Sequence, residues 1–274
     1  MRTVLITGCS SGIGYATAER LAADGWKVYA TARRPETLEG LANCEKLAVD
    51  VTDEESMRAA VEAVGTVDAL VNNAGYSQNG AVESVPMDEV RRQFETNVFG
   101  LIRMCQLVLP GMRERHWGKI VNLSSMGGKL TFPGGGFYHA TKHAVEALSD
   151  ALRFEVRPFG IDVVVIEPGP IKTRFGDTAT GSLHQLGAAD SPYRAFNDIV
   201  AQRIREAYDG PLAAFAKGPE AVAAVIEKAI VAERPRSRYP VTAAARSLMA
   251  LRRWLPDRAF VAFLRTQFTP RASS

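Results

Sequence analysis

Short apolar runs rich in β-branched residues alternate along this chain with longer segments whose apolar positions recur at helical spacing. "RTVLITG", "KVYATAR", "KLAVDV", "VDALVNNAG", "GKIVNLSS" and "IDVVVIEPG" predict six strands. Their near-continuous apolar character is that of buried parallel strands rather than half-exposed ones. Between them, "YATAERLAADG" predicts a helix that stops at Gly25, and "ETLEGLANC" a short one. "DEESMRAAVEAVG" predicts a helix whose start is marked by Thr52, with acids in its first turn. "PMDEVRRQFETNVFGLIRMCQLVLPGMRERH" predicts one or two long helices, and "YHATKHAVEALSDALRFEVRPFG" another long one. Unbroken strand–helix alternation implies an α/β fold, a doubly wound parallel sheet with helices on both faces. A single domain over residues 1–274 is expected.

The rhythm changes at Pro170. "IKTRFGDTATGSLHQLGAADSP" has no strong period and reads as a long loop, a length that points to a functional lid or to disorder. "YRAFNDIVAQRIREAY" and "GPEAVAAVIEKAIVAE" predict helices, with Pro219 in the first turn of the second, and "SRYPV" a last strand. "LMALRRWLPDRAFVAFLRTQF" has a broken apolar–basic pattern and reads as a surface helical segment, packed on the body or on a partner subunit rather than on a membrane. A substrate lid is expected at about 176–215. Its Leu183, Leu186, Tyr193, Phe196, Ile199, Leu212 and Phe215 point to a hydrophobic substrate.

Charge adds one asymmetry. The net charge is +3, yet the segment from Arg234 to residue 274 holds nine arginines against one acid, Asp257. Such a segment can meet anionic lipid, nucleic acid or an acidic subunit surface, or lie solvated with its arginine stems over apolar neighbours; the last is the expectation here. No nucleic-acid partner and no integral membrane segment are expected. Cys9, Cys44 and Cys105 are an odd set without CxxC spacing, which suggests a reduced compartment, no disulfide framework and no zinc site. With no signal peptide in the opening residues, the cytoplasm is the expected location. His116, His139, His143 and His184 have no metal-ligand spacing and are expected on the surface or in packing roles; no metal is expected.

Candidate chemistry begins at the first strand–helix turn. "TGCSSGIG" places Gly8, Ser10, Ser11, Gly12, Ile13 and Gly14 where a bare backbone and a helix N-terminus can meet a pyrophosphate. The second strand ends in "TARRPE", with Arg33 and Arg34 where a dinucleotide site selective for NAD would carry an acid. Two guanidiniums there suit a ribose 2′-phosphate, so NADP(H) is expected, with NAD(H) the alternative. Asp50, beside Val51 at the end of the third strand, either reaches an adenine amino group or caps the turn after it. Finally, "FYHATKHA" sets Tyr138 and Lys142 one helical turn apart, so a cation can tune a phenol that otherwise titrates near pH ~10.

"TGCSSGIG", "NNAG", "NVFG", "NLSS", "YHATK" and "PGPIKT" stand in the order and rough spacing of the short-chain dehydrogenase/reductases, which the chain resembles over about two thirds of its length. A weaker likeness is to the branch with 17β-hydroxysteroid and retinol dehydrogenase-like members. The resemblance implies that Tyr138 is the general acid or base, that Lys142 bonds the nicotinamide ribose and lowers the phenol pKa, and that Ser125 bonds the substrate oxygen. Asn97 would hold a water on a proton-relay path. Asn72, Asn73, Ala74 and Gly75 would steady the sheet and line the cofactor, and Pro168, Gly169, Ile171 and Thr173 would grip the carboxamide. An NADP(H)-dependent oxidoreductase acting on a hydrophobic carbonyl or secondary alcohol, steroid-, retinoid- or acyl-like, is therefore expected. It would be a homodimer or homotetramer paired through the long helices. The alternative is a sensor or scaffold that binds NADP(H) without turnover.

Overall fold

The computed structural model describes residues 1–185, 191–208 and 216–268. Seven parallel strands form one sheet in the order β3-β2-β1-β4-β5-β6-β7. They are β1 (Thr3–Ile6), β2 (Lys27–Ala32), β3 (Cys44–Ala48), β4 (Ala69–Asn72), β5 (Gly118–Leu123), β6 (Ile161–Glu167) and β7 (Arg238–Pro240). The central strands are buried along their whole length, as their apolar runs require. Side chains alternate between the two faces. Val4 and Ile6 pack in the same cluster as Val222 and Ile226. Leu5 between them packs with Met104, Ile120 and Val145 on the other face. Helices α1 (Gly12–Ala23) and α8 (Pro219–Val231) therefore cover one side. Helices α2 (Glu54–Val64), α4 (Leu101–Glu114) and α5 (Gly136–Val156) cover the other.

The strand order reverses direction between β1 and β4, so the loops leaving their carboxyl ends diverge and open a crevice. The glycine loop and "NNAG" both leave from that point.

Three expectations are corrected and two are sharpened. The "IKTRFGDTATGSLHQ" region is not all loop, because α6 spans Phe175–Gln185. Its glycines and hydroxyl residues have weak helix propensity. However, Thr178 and Thr180 turn their hydroxyls back onto the carbonyls of Arg174 and Gly176, and Ala179 and Leu183, one turn apart, are buried. Packing against α7 (Arg194–Tyr208) completes the helix. Helix α2 is capped by Asp53, not Thr52: the Asp53 carboxylate accepts from the backbone N–H groups of Glu55 and Ser56 at 2.9 and 3.3 Å. Thr52 is instead held by Asp50, whose Oδ1 accepts from its N–H and hydroxyl. The "ETLEGLANC" helix shrinks to a 3₁₀ turn at Pro35–Leu38. The long 87–116 segment is α3 (Met87–Phe94) and α4 joined by a π-helical turn, Glu95–Gly100. The "LMALRRW…" segment forms α9 (Ala243–Trp254) and α10 (Asp257–Phe268), with Pro256 between them.

Candidate active site

The glycine loop is locked from below by Asn73. Its Nδ2 donates to the carbonyls of Thr7 and Gly8, both at 2.9 Å, while Thr7 Oγ1 accepts from the N–H groups of Asn73 and Ala74. Gly8 (φ +72°) and Gly12 (φ +61°) occupy left-handed backbone that a side chain would strain. A Cβ on Gly8 would stand 2.8 Å from Ala74 Cα, and one on Gly14 2.4 Å from the Gly8 carbonyl oxygen. Helix α1 starts at Gly12 with no acid in its first turn and no side-chain cap from Ser11. Its first N–H groups, between the exposed Ser10 and the half-buried Ile13, face an approaching anion without competition. Thr173 closes the far side, its methyl 3.1 Å from a Cβ position on Gly12. Residues 168–173 are anchored behind it: Pro168 O accepts from Met126 N at 2.9 Å, Gly169 abuts Thr242 of the α9 cap, and Ile171 bridges to Lys217. The residues present fit a dinucleotide.

At the end of β2, Arg33 and Arg34 are exposed, and neither enters an ion pair among the described residues. Asp50 caps its own turn through Thr52, one of the two roles its position allowed. Val51 is buried, and its carbonyl oxygen would lie 2.2 Å from a Cβ on Gly100, which is why "NVFG" ends in glycine.

The four predicted catalytic side chains come from three elements that meet at the crevice. Asn97 sits in the π-helical turn, fully buried. Its Nδ2 donates to Tyr76 O at 2.9 Å and Thr141 Oγ1 at 3.2 Å, and its Oδ1 accepts from Tyr76 N at 3.1 Å. Gly75 stands against Asn97 Oδ1 and faces Lys142 Nζ. Ser125 follows β5, its Oγ held by Gly127 N at 3.0 Å and hydrogen-bonded to the Tyr138 phenol. Tyr138 and Lys142 project from the first two turns of α5. Asn72 stays behind the site, bonding Asn122 Oδ1 across β4 and β5 at 3.0 Å.

Electrostatics at this point differ from the expectation. Burial pushes the Tyr138 phenol well above its ordinary value; the Ser125 hydrogen bond opposes that and Tyr208 adds to it. Lys142 does not offset the shift. Its ammonium donates to Leu123 O at 2.7 Å and lies 5.7 Å from the phenol ring centroid. Burial pulls it down to about 8, with the Glu146 charge opposing. The lysine is buried, not solvated.

Several partners carry no obvious sequence signal. His139 is buried, its Nδ1 3.2 Å from Gly127 O, and its ring meets that of Tyr138 at 5.6 Å. Phe175 at 5.5 Å walls the phenol on another side. Asn79 ties α6 to the crevice, donating from Nδ2 to Ala179 O at 3.1 Å while its N–H meets Ser182 Oγ. Beyond His139 lies Phe132, ring to ring at 6.0 Å, and Phe132 is in the wall of a cavity of about 620 Å³. Leu130, Tyr193, Phe196, Phe260 and Leu264 also line it; Tyr138 itself does not. Of the predicted lid residues, Leu183 packs with Val200, and Tyr193 and Phe196 reach the cavity. Leu186, Leu212, Phe215 and the side chain of His184 lie outside the described residues.

The crevice, with its glycine loop and a phenol one turn from a buried lysine, has close counterparts. The profile of the short chain dehydrogenase family matches residues 2–182. The 3-ketodihydrosphingosine reductase of Bacteroides thetaiotaomicron is 39% identical over 264 residues, covering 93% of both chains. The NADPH-dependent 3-dehydrocapnine reductase of Ornithobacterium rhinotracheale is 37% identical over 276 residues, covering 94% of both. A short-chain dehydrogenase from Streptomyces avermitilis superposes with a TM-score of 0.79 at 36% identity, over 97% of this chain and 95% of that one. With a matching profile over most of the chain and full-length relatives above a third identical, the protein belongs to the short-chain dehydrogenase/reductase family, as an NAD(P)-dependent oxidoreductase acting on CH–OH and C=O groups.

Proposed function

We propose that this enzyme uses NADPH to reduce the ketone of a long-chain, largely apolar substrate, with Tyr138 as proton donor. The observation that carries the substrate reading is the 620 Å³ cavity, whose wall of Leu130, Phe132, Phe196, Phe260 and Leu264 begins one aromatic layer behind the phenol. An apolar cavity of that size favours a hydrocarbon chain. Two relatives named for 3-keto and 3-dehydro substrates support the same class.

NADPH, when bound, would supply the hydride that reduces the carbonyl carbon. The loop of Gly8, Gly12 and Gly14 with the α1 N-terminus would receive its pyrophosphate, and Arg33 and Arg34 would hold the 2′-phosphate. Ala74, Gly75, Ile171 and Thr173 line the nicotinamide side. Ser125 orients the substrate oxygen and donates to it as charge develops. Tyr138 passes its phenol proton to that oxygen, completing the alcohol. Its raised pKa keeps the phenol protonated at neutral pH, the state that reduction requires. Lys142, 5.7 Å from the ring, places positive charge where the resulting phenolate forms. Asn97 fixes the Tyr76 and Thr141 positions beside this path.

The experiment is NADPH consumption across a series of 3-oxo amphiphiles of increasing chain length and a panel of short polar ketones. Efficiency should rise with chain length, and Tyr138→Phe should abolish turnover while retaining NADPH binding. Faster turnover of the short polar ketones would refute the substrate class.

A further inference from the structure

The basic C-terminal segment from Arg234 onward carries arginines that the chemistry does not use. Two of its arginines are used internally. Arg238 pairs with Glu146 at 3.0 Å and with Asp150, and Arg252 pairs with Asp257 at 2.7 Å and lies over the Phe260 ring. Arg246, Arg253, Arg258 and Arg265 are exposed and enter no ion pair among the described residues. They share their surface with apolar groups. On α9, Arg246, Ala250, Leu251 and Trp254 are exposed and recur at helical spacing, and Trp254 is 81% accessible. On α10, Arg258, Val261, Ala262 and Arg265 do the same. An indole, a leucine and a valine left in water among unpaired guanidiniums form an amphipathic face rather than a solvated one.

The opposite sides of these helices enclose the cavity. Arg252 of α9 and Phe260 and Leu264 of α10 line it, and Phe268 meets Phe132 at 6.4 Å. The same two helices thus carry an exposed basic–aromatic face and an apolar cavity wall.

We propose that α9 and α10 dock on the surface of a membrane containing anionic phospholipid, with Trp254, Leu251 and Val261 entering the interface and the four free arginines over the headgroups. Binding of this kind couples buried apolar area to attraction for anionic lipid, and tryptophan favours the headgroup depth. A second copy of this chain is a poor occupant. A twofold contact sets a patch against itself, which would bring these arginines together with only Asp257 to offset them. Nucleic acid would meet the charge but leave Leu251 and Val261 without apolar partners. No helix among the described residues is long and apolar enough to cross a membrane, so the attachment is peripheral. Docking sets the cavity wall beside the hydrocarbon phase, where a long-chain substrate of the kind proposed above would reside; in that clause alone the inference rests on the proposed function.

The test is sedimentation of the full chain with vesicles of phosphatidylcholine alone or mixed with phosphatidylglycerol, read without substrate or cofactor, so that its outcome is independent of the substrate assay. Binding should require phosphatidylglycerol and weaken as salt is raised. Substituting Arg246, Arg253, Arg258 and Arg265 by Gln should weaken it on the order of 600-fold, at roughly fivefold per arginine. Trp254→Ala should weaken it independently of salt, and in wild type brominated lipid should quench a fluorescence component that Trp254→Phe lacks. Turnover of a water-soluble ketone should be unchanged in these variants. Three results would overturn the proposal: no preference for anionic vesicles, tighter binding to homopolymeric RNA than to vesicles, or a fall in solution mass in the variants showing that the face joins two copies.

Discussion

Replacing Gly14 by alanine tests the claim that the dinucleotide loop is held open by backbone contact. The added Cβ would lie 2.4 Å from the Gly8 carbonyl oxygen and 2.5 Å from Asn73 Nδ2, closer than real contacts allow. The amide can retreat only by giving up its bonds to Thr7 O and Gly8 O. Each is worth about 1 kcal/mol net. The carbonyl cannot retreat without shifting the loop, and overpacking of that kind costs about 1–3 kcal/mol. Gly14→Ala should therefore lose roughly 3–5 kcal/mol of stability, a large part of the ~5–15 kcal/mol of an ordinary domain. NADPH affinity should fall with it, because the displaced loop is the proposed pyrophosphate cradle. Gly25→Ala is the control. It carries φ +81° but has nothing within 4 Å of its Cβ position, so only the left-handed strain of about 1–2 kcal/mol applies. Asn73→Ala separates the two contacts. Combined with Gly14→Ala it relieves the clash with Nδ2 and leaves the clash with the carbonyl, so the pair should remain defective. The assays are urea denaturation and an NADPH fluorescence titration. A Gly14→Ala protein as stable and as tightly binding as Gly25→Ala would rule out the backbone clash, as would full rescue by Asn73→Ala.

Arg33→Ala with Arg34→Ala should weaken NADPH at least tenfold more than NADH in a binding titration, since only the former carries the 2′-phosphate; equal losses would remove these arginines from cofactor choice. Asn79→Ala removes the Nδ2 bond to Ala179 O, so amide exchange in α6 should quicken while global stability falls by only about 1 kcal/mol. Glu167 should shape stability against pH. Burial, then the charge of Glu146, raises it from 4.5 to about 7, so the folded state holds its proton more tightly and stability falls as pH climbs through that window. Burial lowers His139 from 6.5 to about 4, which makes stability rise with pH across that interval. The two slopes, each near ~1.4 kcal/mol per pH unit, oppose one another where they overlap. Chemical denaturation of wild type should be nearly flat from about pH 4.5 to 6.5, and Glu167→Gln should rise. A flat profile in the variant would show that Glu167 does not hold its proton.

Strands were legible because a sheet covered on both faces demands apolar residues at nearly every position, and Thr3–Ile6, Gly118–Leu123 and Ile161–Glu167 comply. Helix α6 was not, since glycines and hydroxyl residues fill it. What holds it is supplied by α7 and Asn79, distant in sequence. Glycine spacing located the loop, but Asn73 as its clamp depends on how β4 ends beside β1. The C-terminal pattern announced helices, whereas the second role of Phe260 and Leu264 as cavity wall required the tertiary structure.

The Tyr138–Lys142 pair shows where spacing stops informing chemistry. Four residues along a helix guarantee that the two side chains share a face, and they do. Spacing does not say which acceptor the ammonium prefers. Here it is Leu123 O at the end of β5, because a buried lysine needs a strong acceptor and a strand-end carbonyl offers one. The phenol is left to burial and to Ser125, and its pKa rises rather than falls. A tyrosine in that condition keeps its proton at neutral pH, the state that the proposed reduction requires. For oxidation the phenol must first be brought down, and 5.7 Å is close enough for the Lys142 charge to contribute once its hold on Leu123 O is exchanged for one nearer the ring. Directionality would then depend on where that single ammonium bonds, a property of one side chain and not of the motif that contains it.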